Sequence, residues 1–192
     1  MRLNDLLPEA YEYKDEEIPI DLSFDNVLDI FDAIKLVELF EFDRADIGIT
    51  LLFGENVIEL EDIVVVWNDI FDIYINPKEK EVVKYDIAGN PMPSKKTDSD
   101  EPAIDLEQDA EYIYASFMQT YKIDLMEQQG KMHWWKFKAL LNGLPEDTLI
   151  KQIIHIRTYE PSKHDSDEYK EQMRDLQDFY RLEVGEWHEM EE

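Results

Sequence analysis

The chain contains no cysteine. That absence removes disulfide scaffolds, thiolate metal sites and a cysteine nucleophile together, and it is compatible with a reducing compartment. Glycine is scarce, six residues in 192, and no group of them has the spacing of a phosphate-cradling loop or a dinucleotide-binding turn. The histidines, His133, His155, His164 and His188, include no pair at the spacing that sets two metal ligands on one helical face. No serine stands in a nucleophile-elbow setting. No apolar run approaches the roughly 18 residues of a spanning helix. Met1-Arg2-Leu3-Asn4-Asp5 also lacks the charged and apolar regions of a secretion signal. The expectation is a cytoplasmic protein without a membrane partner. With no nucleophile, base or ligand set to assemble, it is also expected not to be an enzyme and to carry no metal or cofactor.

Positive charge is the remaining shortage. Nineteen basic residues against 46 acidic give a net charge of −27, a field that repels nucleic-acid phosphates and keeps the chain soluble. Nucleic acid is therefore not an expected partner. What the chain does have is apolar and aromatic material, 44% and 12% of residues, ordinary for a globular protein. A chain of this length can bury about two-thirds of the surface it exposes when unfolded, enough for one or two compact domains.

The acidic clusters invite a test for calcium. Asp98-Ser99-Asp100 and Asp165-Ser166-Asp167 resemble the opening of an EF-hand loop, which also needs glycine at its sixth position and glutamate at its twelfth. Counting from Asp98 gives Ala103 and Asp109; counting from Asp165 gives Lys170 and Leu176. Both fail, which leaves solvated polar loops.

Periodicity along the chain predicts a mainly α fold: two small helical halves joined by a long polar linker, with a short N-terminal β-hairpin. Tyr11, Tyr13, Ile18 and Ile20 alternate around Lys14-Asp15-Glu16-Glu17 as a hairpin, with Pro19 confining its strand to an edge. Ser23 is the candidate N-cap of a helix whose apolar face is Val27, Ile30, Phe31, Ile34 and Val37. A second helix runs from Arg44 or Ala45 to Phe53 and stops at Gly54. Leu60, Ile63, Val64, Trp67, Ile70, Phe71 and Tyr74 form a third helical stripe. After Asn76-Pro77, few apolar residues occur before Pro102, which reads as linker. Beyond it, Ala110, Ile113, Tyr114, Phe117 and Tyr121 make one helical face. A turn at Gln129-Gly130 and a helix up to Asn142-Gly143 follow. The next helix opens at Pro145 and carries Leu149, Ile150, Ile153, Ile154 and Ile156, and a last one runs from Asp167 to Leu182. The expected organisation is 1–75 hairpin plus helices, 76–104 linker, 105–185 C-terminal helical domain and 186–192 acidic tail.

One segment departs from the acidic background. Residues 131–158 hold Lys131, Lys136, Lys138, Lys151 and Arg157 against Glu146 and Asp147, five minus two for a net +3. Trp134, Trp135 and Phe137 lie among them. Either two of these aromatics are core and the lysines solubilise one face, or the segment is an aromatic-basic patch that docks an acidic face of a partner or of a second copy. Adjacent Trp134 and Trp135 point about 100° apart on a helix, so one neighbour cannot readily bury both. The candidate partner-binding residues are Trp134, Trp135, Lys136, Phe137 and Lys138, together with Tyr112 and Tyr121.

Three stretches, Asp109-Ala110-Glu111-Tyr112-Ile113-Tyr114-Ala115-Ser116-Phe117, Tyr121-Lys122-Ile123-Asp124-Leu125 and His133-Trp134-Trp135-Lys136-Phe137-Lys138-Ala139-Leu140-Leu141-Asn142-Gly143-Leu144, resemble the bacteriophage gene-product-fifteen family. That family occurs in long-tailed phages and prophages of Gram-positive bacteria. The resemblance covers essentially the whole chain and is most specific around His133 to Leu144. It implies a tail assembly chaperone that binds the tape measure protein, keeps it soluble, helps recruit tail tube subunits, and departs before the virion is complete. Self-association through the aromatic-basic segment is a further expectation. Two other readings stay open: an acidic DNA mimic that inhibits a host DNA-binding or restriction enzyme, and a minor structural component of the tail.

Overall fold

The computed structural model describes residues 4–35, 39–76, 84–85, 91–92 and 103–183. It is mainly helical with a short antiparallel hairpin near the N-terminus, as the periodicity predicts. The chain divides into two compact units, Met1–Lys96 with Met126–Asn142, and Thr97–Leu125 with Gly143–Glu192. The segment Met126–Asn142 therefore groups with the N-terminal unit, whereas the sequence-based boundaries put it in the C-terminal half. Most of the expected linker at 76–104, the tail at 186–192 and Val37 lie outside the described residues. Within the linker stretch, β3 (Lys84–Tyr85) pairs with β4 (Pro91–Met92).

In the first unit, β1 (Ala10–Tyr13) pairs with β2 (Glu16–Pro19), so that Tyr11 faces Ile18. The two-residue turn sets Lys14 at φ 50° and Asp15 at φ 66°, the left-handed pair that a tight hairpin demands. Lys14 Nζ meets Glu59 at 2.7 Å and Asp62 at 3.0 Å. Chain direction then turns into α1 (Phe24–Ile34), which buries Phe24, Val27 and Ile30. Ser23 occupies its N-cap position in extended backbone, yet the hydroxyl makes no capping bond. Its own N–H donates to Asp21 Oδ1 at 2.9 Å.

Helix α2 (Glu41–Phe53) starts ahead of the expected Arg44 or Ala45. The Asp43 carboxylate accepts from the Phe40 N–H at 3.2 Å, which satisfies an amide at the helix entrance and draws the start forward. Gly54 ends α2 at φ 88°. Inside α2, Gly48 is dictated by packing, because a Cβ there would overlap the six-membered ring of Trp67. The indole of α3 (Ile63–Ile70) thus lies directly on the α2 backbone.

α3 passes into a π turn, Phe71–Ile75, closed by Asn76 N–H to Phe71 C=O at 2.8 Å. The wider turn shifts the inward phase by one residue. Ile75 is buried and Tyr74 only partly so, while Leu60, expected at the head of the stripe, is exposed.

In the second unit, α4 (Ala110–Tyr121) buries Ile113, Ser116 and Phe117 and ends at Lys122 in the left-handed region (φ 56°). α6 (Leu149–Arg157) begins at Leu149 and not at Pro145. Residues 145–148 instead form a turn in which the Thr148 N–H and hydroxyl both donate to the Pro145 carbonyl, at 3.1 and 2.7 Å. Ser116 Oγ accepts from Ile150 N–H at 3.2 Å, so α4 caps α6. α7 (Asp167–Phe179) is capped by Ser166, whose hydroxyl accepts from Tyr169 N–H, and stops short of the expected Leu182. It buries Met173.

Candidate protein-interaction surfaces

The tryptophan segment is built as a strap on the first unit. Met126–Gln128 form one 3-10 turn, Gly130 turns the chain at φ 64°, and α5 (Trp134–Asn142) follows. The strap is tied down mostly by backbone. Phe24 N–H donates to Met132 C=O at 2.9 Å and Trp134 N–H to Leu22 C=O at 2.7 Å. Gly130 N–H donates to the Asp25 carboxylate at 2.9 and 3.0 Å, close to the start of α1, where a negative charge also complements the helix dipole.

This anchoring divides the candidate residues by role. Trp134 and Phe137 are buried, stacked on one another with centroids 5.6 Å apart, and Phe137 stacks on Phe24 at 5.0 Å. Both are core of the first unit, which takes them out of reach of a partner. Trp135 is half-buried, parallel to Tyr74 at 6.1 Å. The two indoles bond to consecutive carbonyls. Trp134 Nε1–H donates to Ile75 C=O at 2.8 Å and Trp135 Nε1–H to Tyr74 C=O at 2.7 Å. Those carbonyls belong to the end of the π turn, where no intrahelical donor remains for them. Lys136 is exposed, and Lys138 places Nζ 5.5 Å from the Trp134 ring centroid, a cation–π distance.

His133 caps the strap helix. Its Nδ1 accepts from Trp135 N–H at 3.0 Å, and Nε2 lies 3.2 Å from the Pro8 carbonyl. An accepting Nδ1 in a neutral ring puts the proton on Nε2, which then donates to Pro8. Burial pushes the imidazole below its ordinary value, against the Pro8 carbonyl and the Glu9 charge.

The other expected residues lie in the second unit. Tyr112 is half-buried with its ring edge-on to Tyr180 at 6.1 Å, and Tyr121 is edge-on to Phe117 at 5.6 Å. Lys151 and Arg157 also belong to this unit, so the net-positive stretch of the sequence is shared between the two units. Arg157 has a specific structural partner that the sequence reading missed. Its Nη1 and Nη2 meet Asp109 Oδ2 and Oδ1 at 2.6 and 2.8 Å, with side-chain exposures of 10% and 1%. Arg157 Nε donates to Tyr180 C=O at 2.6 Å and Nη1 to Ala103 C=O at 3.2 Å. Asp109 also accepts from Asp105 N–H at 3.0 Å. The pair joins the start of α4, the end of α6 and the exit of α7.

Of the two Asp-Ser-Asp clusters, the one at 98–100 lies outside the described residues. In the other, Asp165 accepts from the Tyr159 hydroxyl and the Ser162 N–H, each at 2.7 Å, which holds its carboxyl below the usual range. Among the described residues no group of three or more His, Asp or Glu side chains is placed to hold a metal ion, and no helix is long and apolar enough to cross a membrane.

Large apolar side chains left in the open mark other surfaces. Leu60 ahead of α3, Val65 within it and Ile73 in the π turn are 73%, 69% and 47% exposed, and Phe179 stands 76% exposed at the end of α7.

Comparison with curated proteins and with solved structures gives no match. The family model described as Bacteriophage Gp15 protein matches residues 3–182, a span that takes in every helix described above. The chain belongs to the Bacteriophage Gp15 protein family.

Proposed function

We propose that the protein is a phage tail assembly chaperone, acting in the host cytoplasm without catalysis or cofactor, that binds the tape measure protein and helps recruit tail tube subunits. The observation that carries this reading is the family match across residues 3–182. Physical chemistry supports it. A long, apolar, helical client needs a partner with apolar contact area and a well-charged exterior. The net charge of −27 supplies solubility and keeps loaded complexes apart, and both units leave large apolar side chains exposed on helices.

Co-expression with the tape measure protein of the same phage, followed by affinity purification, tests the reading. Co-purification of the two is the expected outcome. Recovery of either protein without the other overturns it. Mass spectrometry of finished virions should find no stoichiometric copy of the chain; a stoichiometric copy would select a structural role in the tail. Binding to a host DNA-binding enzyme that DNA competes away would select the acidic mimic.

A further inference from the structure

The stretch from Ala45 to Pro77 contains no lysine, arginine or histidine, and seven acids: Asp46, Glu55, Glu59, Glu61, Asp62, Asp69 and Asp72. Two of these have a cation from elsewhere, since Lys14 of the hairpin reaches Glu59 and Asp62. Three others are exposed, Glu61 in the turn ahead of α3, Asp69 within α3 and Asp72 in the π turn, near the open side chains of Val65 and Ile73. Asp69 also accepts from the Tyr11 hydroxyl at 2.9 Å, which holds its carboxylate in place on this face.

The π turn decides whether Val65 and Ile73 act together. On an uninterrupted α-helix, residues eight apart stand about 80° from each other. The i→i+5 turn at Phe71–Ile75 advances less per residue, and this brings Ile73 back to about 30° from Val65. The result is a short ridge, about 11 Å or two turns long, with Val65 and Ile73 at its ends and the Asp69 carboxylate one turn from each.

We infer that the Val65–Ile73 ridge is a docking site for an amphipathic helix whose apolar stripe is flanked by lysine or arginine. Charge complementarity selects this occupant. Acids lie on and beside the ridge and the stretch Ala45–Pro77 that carries it holds no base, so an acidic or neutral helix would desolvate carboxylates without compensation. A second copy of this chain that met it ridge to ridge would bring the same acids. A basic flank converts each bordering carboxylate into a partner and quickens encounter with a protein of this net charge. The inference rests on the chaperone reading only in taking the occupant to be the client.

The test uses the full-length protein and a fluorescent peptide of about five helical turns, with leucines on one face and lysines on both flanks. A control peptide carries glutamate in place of lysine. Fluorescence anisotropy should show binding of the lysine peptide alone, weakened as salt is raised from ~50 to ~500 mM. The double variant Val65→Glu/Ile73→Glu should bind at least about tenfold more weakly. Asp72→Lys should weaken binding too, while Glu171→Lys, the same charge change at an exposed position of α7, leaves it unchanged. Both substituted ridge positions are exposed, and circular dichroism verifies that the variants stay folded. Equal binding of both peptides, no binding by the parent protein, or full binding by the double variant overturns the inference. A parent dimer that Val65→Glu/Ile73→Glu converts to monomer would also overturn it, by assigning the ridge to a second copy. Should the double variant still co-purify with the tape measure protein as well as the parent does, the ridge is refuted while the chaperone reading survives.

Discussion

Removing Asp109 should unfold the second unit far more readily than any other single charge deletion there. The carboxylate is fully buried and answers the Arg157 guanidinium through two bonds of 2.6 and 2.8 Å. In Asp109→Ala, the guanidinium keeps its carbonyl acceptors at Tyr180 and Ala103 but loses its counter-charge. A buried charge stripped of its partner costs about 3–5 kcal/mol. A domain's whole stability is only about 5–15 kcal/mol. For a unit of about eighty residues, each kcal/mol moves the midpoint by roughly 4–8 °C, so the loss should exceed ~10 °C. Urea unfolding followed by circular dichroism gives the free energy, and hydrogen exchange locates the loss in α4, α6 and α7. Replacing both members, as Asp109→Leu/Arg157→Met, should restore at least half of it, because the uncompensated charge is gone. A loss below about 1 kcal/mol in Asp109→Ala would refute the reasoning and place the pair among ion pairs of surface strength.

Gly48→Ala should destabilise the first unit by about 1–3 kcal/mol in thermal unfolding despite alanine's better helix propensity, because the new Cβ meets the Trp67 ring. A neutral or stabilising result would show that the ring moves freely. Trp135→Phe removes the donor to the Tyr74 carbonyl and should cost about 1 kcal/mol. Trp134→Phe, which strips the Ile75 carbonyl in a buried site, should cost more, about 1–3 kcal/mol, in the same urea titration. His133 gives a pH dependence. Its folded-state value lies below the unfolded ~6.5, so the unfolded chain takes up the proton first as pH falls. Stability from this group is complete above pH ~6.5 and declines below it until the folded imidazole titrates. The stability difference between the parent and His133→Gln, from urea titrations, should shrink in that window as pH falls, and a difference that does not change with pH would contradict the lowered value.

The helices were legible because burial repeats with the helical period. Val27 and Ile30 of α1, Ile63, Trp67 and Ile70 of α3, and Ile150 and Ile153 of α6 all stand where the apolar spacing puts them. The α3 stripe departs from its pattern at the C-terminal end for a physical reason. The π turn adds a residue to one turn, so Ile75 takes the inward place that an unbroken α-helix would give Tyr74. The tryptophan pair was half legible. A 100° separation implies that the rings cannot share one pocket, and Trp134 points into the core while Trp135 sits at its rim. Which unit the strap joins was not legible at all. Periodicity says which face of α5 is buried but not against what, and the backbone bonds from Leu22 and Phe24 to residues 132–134 leave no side-chain signature. The Asp109–Arg157 pair was hidden likewise: 48 residues separate the two, and Arg157 reads in sequence as one more base in a basic stretch.

The proposal that this acidic helical protein holds a long apolar helical client in solution is tested most directly by the sedimenting fraction of that client. With the tape measure protein expressed alone and together with this chain, the account predicts a shift of the tape measure from pellet to supernatant, in a complex that carries both. A tape measure that pellets equally in both cases, with this chain free in the supernatant, would contradict it.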